Sequence, residues 1–309
     1  MKKVIIFAIL VLLVIVTIIY KNVILMAYYE KFYNTRHEVT IGEKNQYYRD
    51  YDFMYVQNTN NFKPTNKQDL MNILYTILNA GKDEFTFYCP DEYEGCTDEV
   101  SKLAKDQVVL SSINNYVHPF NSFKNISTET DTTGKVTIRF IKTYSKQDIE
   151  AITSVVKKLE KELINKNLSI EDQLKVIHDY IIDHTKYDSD RTDNNIIQYK
   201  SDTAYGTLIE GYSICGGYSD AFELFLEDLN IKSFKVASDT HIWNAVHLYN
   251  TWYNYDLTWD DPVTNTNEQI IDNRFLKLTT PELLQIEQSQ HNFDSNIYQE
   301  VAPYNKKNY

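Results

Sequence analysis

The sequence predicts an α+β protein: an N-terminal transmembrane helix, a small α+β domain, then a domain whose cysteine-bearing helix packs on an antiparallel sheet. Three observations lead there. An almost wholly apolar run opens the chain. Helix-period and strand-period patterns alternate through the first half, and in the second half a glycine-flanked helix runs into successive strand patterns. The expected divisions are residues 1–30, 31–167 and 168–309.

The first element rests on Lys2 and Lys3, a charge-free run from Val4 to Tyr20, and Lys21 closing it. The run lies at the short edge of the roughly 20 residues that span a bilayer. A second apolar patch, Val23 to Tyr29, extends it, with Tyr20, Tyr28 and Tyr29 at interface depth. No small-x-small cleavage site follows, so an uncleaved signal-anchor is expected rather than a cleaved signal peptide. The leading lysines favour a cytoplasmic N-terminus, which makes this a single-pass cell-membrane protein with its bulk extracellular. Cysteine use agrees. Of three cysteines, Cys89 and Cys96 lie in YCPDEYEGC, whose Pro90 and Gly95 let a short loop close as a disulfide in an oxidising compartment. A metal is the rival for that pair, but no histidine or second cysteine pair lies near it. Cys215 is left over, as an intermolecular partner or a functional thiol.

The chain of 309 residues is 43% hydrophobic and 14% aromatic, as a folded protein is. Its net charge of −12 argues against nucleic-acid binding, because phosphate contacts need Lys and Arg to displace counterions. The 25 tyrosines suit a surface that contacts polymers or proteins, although AT-rich codon usage explains them equally well.

In the first domain, Asn66 to Ala80 places Leu70, Ile73, Leu74, Ile77 and Leu78 on one helical face, with Gly81 where a C′ residue belongs. Glu84 to Tyr88 alternates as a strand, Thr97 to Tyr116 reads as a helix, and Lys135 to Tyr144 reads as a second strand. Ser145 caps a helix reaching about Asn165. The second domain opens near Ser169 with SIED, a capping-box-like start, and its helix carries Leu174, Ile177, Tyr180 and Ile181. A polar loop, Asp183 to Asp202, precedes the segment that carries the chemistry.

Tyr218, Phe222, Phe225, Leu226 and Leu229 recur at helical spacing, so a helix runs from about Cys215 to Asp228 with the cysteine in its first turn. The free N–H groups and positive dipole end there stabilise a thiolate. Gly211, Gly216 and Gly217 let a substrate backbone come close and leave amides free for an oxyanion. Taken alone, the segment reads more readily as a small buried cysteine opening a core helix. Three strands follow, Ser233 to Ser238, His241 to Leu248 and Thr251 to Trp259, the last two joined at Tyr249–Asn250. In that hairpin His241 and Asp256 fall almost opposite each other, the arrangement a carboxylate needs to orient an imidazole that serves a thiol.

These blocks, Cys215-Gly216-Gly217-Tyr218, His241-Ile242-Trp243-Asn244 and Tyr255-Asp256-Leu257-Thr258-Trp259-Asp260-Asp261-Pro262, occur in an order that resembles the bacterial transglutaminase-like superfamily. Its members share a papain-like Cys–His–Asp arrangement. The chain departs from the family pattern in having Thr240 and Ile242 beside the histidine. The resemblance, covering Ser169 to about Phe275, implies Cys215 as nucleophile, His241 as general base and acid, and Asp256 as its orienter. It implies acyl transfer or hydrolysis at a glutamine carboxamide or peptide-like amide of an extracellular protein or cell-wall substrate. No metal or organic cofactor is implied. The alternative is a non-catalytic surface-binding or scaffold protein that keeps the fold.

Other candidates carry less. His247 is expected at the surface or behind the site, and His178 and His184 in solvent. Asp260 and Asp261 are expected to cap a turn, and Trp243, Trp252 and Trp259 to form core and cleft wall. Tyr212 is a candidate aid to the oxyanion.

Overall fold

The N-terminal expectation is the one the structure changes most. A computed structural model describes residues 16, 18, 20–28, 39–263 and 270–303 of the chain. Among the described residues no helix is long and apolar enough to cross a membrane. The helix described near the N-terminus, α1 (Lys21–Tyr28), has 8 residues. At about 1.5 Å per residue that is far short of a hydrocarbon core roughly 30 Å thick. The transmembrane signal-anchor over 1–30, the single-pass location with an extracellular bulk, and the membrane as partner are corrected accordingly. Most of the run from Val4 to Tyr20 lies outside the described residues.

In the first half, Asn66 caps α2 (Lys67–Asn79) by accepting from the Asp69 amide, and Gly81 follows at φ +74°. Strands β1 (Glu84–Tyr88), β2 (Phe123–Thr130) and β3 (Lys135–Lys142) pair antiparallel in the order β1-β3-β2. The single helix expected over 97–116 is two, α3 (Cys96–Leu103) and α4 (Gln107–Asn115). The break is local chemistry: the Asp106 side chain accepts from the Val109 amide and starts a new helix. Cys89 and Cys96 are joined as a disulfide with their Cα atoms 5.7 Å apart, tying the end of β1 to the start of α3.

A capping box of Ser145 and Asp148 opens α5 (Lys146–Leu163), and Ser169 opens α6 (Ile170–His184). Short parallel strands β4 (Lys186–Tyr187) and β5 (Tyr212–Ser213) bracket a segment that contains α7 (Ser189–Asn194). Then come α8 (Cys215–Asp228) and an antiparallel sheet of β6 (Ser233–Ala237), β7 (Ile242–Leu248) and β8 (Thr251–Tyr255). Tyr249 and Asn250 turn the β7–β8 hairpin with φ of 50° and 62°. Two left-handed residues match the twist of the paired strands. The last helix is α9 (Thr280–Ile286).

The β6–β8 sheet stands between two cores, and strand alternation decides which side chains enter each. On one face Ser233 and Asn244 hydrogen-bond Glu223 of α8, each at 2.8 Å, and Lys235 pairs with Asp220. On the other, Phe234, Val236, Trp243 and Ala245 join the core built on α2, with the Phe234 ring 4.9 Å from that of Tyr116. Arg49, from the segment before α2, reaches α8 from behind. Its Nη2 lies 2.5 Å from both Glu223 Oε1 and Glu227 Oε1, and its Nη1 donates to the Tyr116 carbonyl at 2.9 Å.

The Arg49 and Glu223 side chains are each 1% exposed, so removing one partner strands a buried charge. Arg49→Ala is expected to cost about 3–5 kcal/mol, read as a lower urea midpoint at unchanged slope. A loss below about 1 kcal/mol would show that this ion pair does not lock α8.

Candidate active site

The site is assembled from the first residue of α8, the residue before β7 and the residue after β8. Cys215 is half-buried and is the free cysteine of the chain. Ile214 at the N-cap is extended and offers no side-chain cap, so the first-turn amides have no side-chain acceptor. The Ile214 amide itself donates to the Ser201 carbonyl at 2.8 Å. A Cβ at Gly217 would sit 2.4 Å from the Ser201 carbonyl oxygen and 2.5 Å from Ser213 Oγ, and one at Gly216 would lie 3.1 Å from the Asp202 carbonyl oxygen. Glycine at 217 therefore admits the chain's own 201–202 segment, where a substrate backbone was expected. That segment is clamped by Arg191 to Asp202 at 2.9 Å and Lys200 to Asp148 at 2.6 Å.

His241 is held by its backbone. Its amide donates to Ser238 Oγ at 3.1 Å, and its carbonyl accepts from the Ser238 amide at 2.9 Å. Its Nε2 lies 2.5 Å from Asp256 Oδ2, and Cys215 is close enough to act on the charge of the ring. Of the three predicted residues, His241 and Asp256 are in hydrogen-bond contact. The register differs from the expected one: Asn244 pairs with Tyr255, so Asp256 continues the ladder opposite Trp243 and reaches His241 on the diagonal. Trp243 stacks at 5.8 Å on the His241 ring and donates its indole N–H to Asn254 at 2.9 Å, a buried wall as expected.

Burial alone would depress His241, but the Asp256 carboxylate, by its charge and by accepting the ring's hydrogen bond, and then Cys215 raise it to about 10. Burial alone would raise Asp256, yet the His241 charge and hydrogen bonds from His241 and His291 hold it well below the usual carboxylate range. The pair is an ion pair, both of its members buried.

Sequence reasoning missed His291. Fully buried, it places Nε2 2.8 Å from Asp256 Oδ2 and Nδ1 2.9 Å from Glu287 Oε2. Its one local signal was Glu287 four positions earlier, a spacing common on any polar helix end. His178, expected in solvent, is also fully buried: its Nδ1 meets Asp179 at 2.9 Å and its Nε2 meets Asp260 at 3.1 Å. A histidine on the apolar side of α6 thus anchors the chain beyond β8. Asp260 in turn accepts from the Phe275 amide at 2.9 Å, and Tyr218 donates to Asp261. His184 is exposed and stacks on Tyr180. His247 stacks near Trp252 at 5.0 Å, beside the hairpin turn. Tyr212 stacks at 3.9 Å on Tyr199, and burial, with the nearby Cys215 second, raises Tyr187.

Among the described residues, His241, Asp256 and His291 are the group whose ligand atoms converge enough to suggest a metal. Their contacts of 2.5 and 2.8 Å are those of hydrogen bonds. Two ligands of one zinc, each about 2.1 Å from it, stand roughly 3.3 Å apart.

No protein-family model and no curated protein matches the chain. Two solved structures are similar to part of it. One is a TGase, with a TM-score of 0.34 and 14% identity over 48% of this chain and 47% of that one. The other is a "Putative Cysteine Protease from Cytophaga hutchinsonii", with a TM-score of 0.28 and 13% identity over 48% of this chain and 65% of that one. The match spans about half of the first and less than two thirds of the second.

The ion pair makes stability pH-dependent with a definite sign. His241, raised from 6.5 to about 10, contributes stability that is complete below about pH 6.5 and lost as pH rises through 10. Asp256, lowered, contributes stability that is present above about pH 4 and lost as pH falls through its folded value. In urea unfolding, the advantage of the native chain over Asp256→Asn is expected to peak between about pH 4 and 6.5 and to shrink toward pH 10. An advantage that stays flat across that range contradicts the ion pair.

Proposed function

We propose that this protein is a cysteine acyltransferase or hydrolase of transglutaminase-like fold. In this reading it acts on a glutamine carboxamide or peptide-like amide of a protein or cell-wall substrate through a thioester on Cys215. The observation that carries the reading is the buried His241–Asp256 pair with Cys215 close enough to act on the His241 ring. Support also comes from the half-buried thiol at the first residue of α8, whose N-cap offers no side-chain acceptor. The proposed division at 167–168 leaves all three residues in the second domain.

The steps follow from that arrangement. With the thiol proton already on His241, as its raised affinity for a proton favours, Cys215 Sγ attacks the amide carbon as a thiolate and the carbonyl electrons move onto oxygen. The Cys215 and Gly216 amides stabilise that oxyanion, which in water would cost far more, the Gly217 amide being bonded to the Ile214 carbonyl at 2.9 Å. Collapse breaks the C–N bond, and His241 gives its proton to the departing ammonia or amine. An acceptor amine or water then attacks the thioester, loses its proton to His241, and restores the thiol. Asp256 holds the imidazole and stabilises its charged form without taking the proton. The influence of Cys215 on the His241 ring favours this reading over a non-catalytic scaffold, whose thiol and imidazole would be free to stand apart.

Cys89 and Cys96 are tied up, so a thiol-directed electrophile has one target. Iodoacetamide at neutral pH is expected to label Cys215 alone, and Cys215→Ala to abolish labelling. His241→Gln is expected to slow it at least about tenfold. With an amine probe and a glutamine-bearing protein mixture, mass spectrometry should find adducts or deamidated glutamines that vanish in Cys215→Ala. Labelling indifferent to His241→Gln sinks the proposal.

A further inference from the structure

Asp256 is not His241's alone. Its Oδ1 accepts from the Trp259 amide at 3.1 Å, and its Oδ2 faces both His241 Nε2 at 2.5 Å and His291 Nε2 at 2.8 Å. The other nitrogen of His291 lies 2.9 Å from Glu287 Oε2. An ionised carboxylate accepts hydrogen bonds and has none to donate. Burial by itself would raise Glu287, but hydrogen bonds from Ser289, Gln290 and His291 hold it down at about 2, so it is ionised. With carboxylates at both nitrogens, the His291 ring has to donate twice, and a ring that donates twice is a cation.

The surroundings leave that ring no other orientation. It stacks on Phe275 at 5.6 Å, meets Trp243 edge-on at 4.9 Å, and lies 5.7 Å from Trp259. The titratable groups that face it are Asp256 beyond β8, Glu287 beyond α9, and the His241 ring at 5.4 Å before β7. Asp260 lies behind Asp256 and is paired with His178.

We propose that His291 is a positioning residue for the Cys215–His241 pair, fixing the Asp256 carboxylate and supplying a buried positive charge beside it. The proposal rests on the acyl-transfer reading above. A carboxylate held by one imidazole alone can turn about its Cβ–Cγ bond. Held at Oδ1 by a backbone amide and at Oδ2 by a second ring, it keeps Oδ2 aimed at His241 Nε2. The positive charge also offsets the negative charges that gather when the thiol ionises: Asp256, Glu287 and the thiolate itself. Without it, forming the thiolate–imidazolium pair becomes less favourable.

The test is the pH dependence of iodoacetamide labelling of Cys215 in the full chain, with urea stability and bound zinc measured alongside. His291→Gln keeps one donor toward Asp256 and loses the charge. Its acidic limb is expected to move up by roughly one pH unit, with most of the plateau rate kept. His291→Phe loses donor and charge, and its plateau is expected to fall about tenfold as well. A limb that stays put in both folded variants overturns the proposal, as does stability loss alone. If His291→Phe does not fold, the His291→Gln limb decides. Stoichiometric zinc in the native chain that is lost in His291→Gln would also overturn it, making the cluster a metal site. The two readings fail separately: labelling indifferent to His241→Gln removes both, whereas labelling that needs His241 and ignores His291 removes only this one.

Discussion

One buried carboxylate organises the second half of this chain. Asp256 is 1% exposed, and an ionised group so placed costs several kcal/mol unless its lone pairs are filled. They are filled by three donors from separate stretches: His241 before β7, the Trp259 amide after β8, and His291 near the end of the described chain. The backbone of Asp256 is held too, its amide donating to the Phe275 carbonyl at 3.1 Å. Satisfying that charge therefore requires the C-terminal segment to fold back so that His291 reaches Asp256.

The helix that carries the thiol is fixed by equally specific means. Most helices turn only apolar side chains inward, yet α8 buries Asp220 and Glu223 among its Tyr, Phe and Leu residues. Each acid has partners from elsewhere in the fold: Lys235 and Tyr144 for Asp220; Arg49, Ser233 and Asn244 for Glu223. A slide of one helical turn would leave two charges without partners in the interior, a far larger penalty than a shifted apolar contact. Polar contacts in the middle of α8 thereby fix where its first residue stands, and the 201–202 segment in the notch of Gly217 fixes it again.

How much of this was legible depends on where the determining interaction lies along the chain. Elements governed by neighbours in sequence were readable. The Asn66 and Ser145 caps, the periodic face of α2, the Tyr249–Asn250 turn and the cysteine at a helix start all follow from local chemistry. Features set by distant partners were not. β2 is mostly exposed, so no alternation marks it, and only pairing with β3 makes it a strand. The roles of His178 and His291 were not readable, because their partners Asp260 and Asp256 lie 82 and 35 residues away. The His241–Asp256 contact was foreseen from the hairpin, but not the displaced register. At the N-terminus, apolar composition over 4–20 pointed to a membrane span, and the described residues contain no helix of that length and character.

The β6–β8 sheet serves two masters, with charge and amide on the face toward α8 and aromatic rings on the face toward Phe53, Tyr116 and Tyr298. Heredity is constrained accordingly. A shuffling event that joined residues 168–309 to some other leading segment would lose Arg49 and Tyr144 from the acids of α8, and it would leave Phe234, Val236 and Trp243 facing water unless the newcomer brought rings of matching shape. The two halves are bound to change together, so substitutions around Tyr116 should track those in β6 and β7 across descendants of this chain.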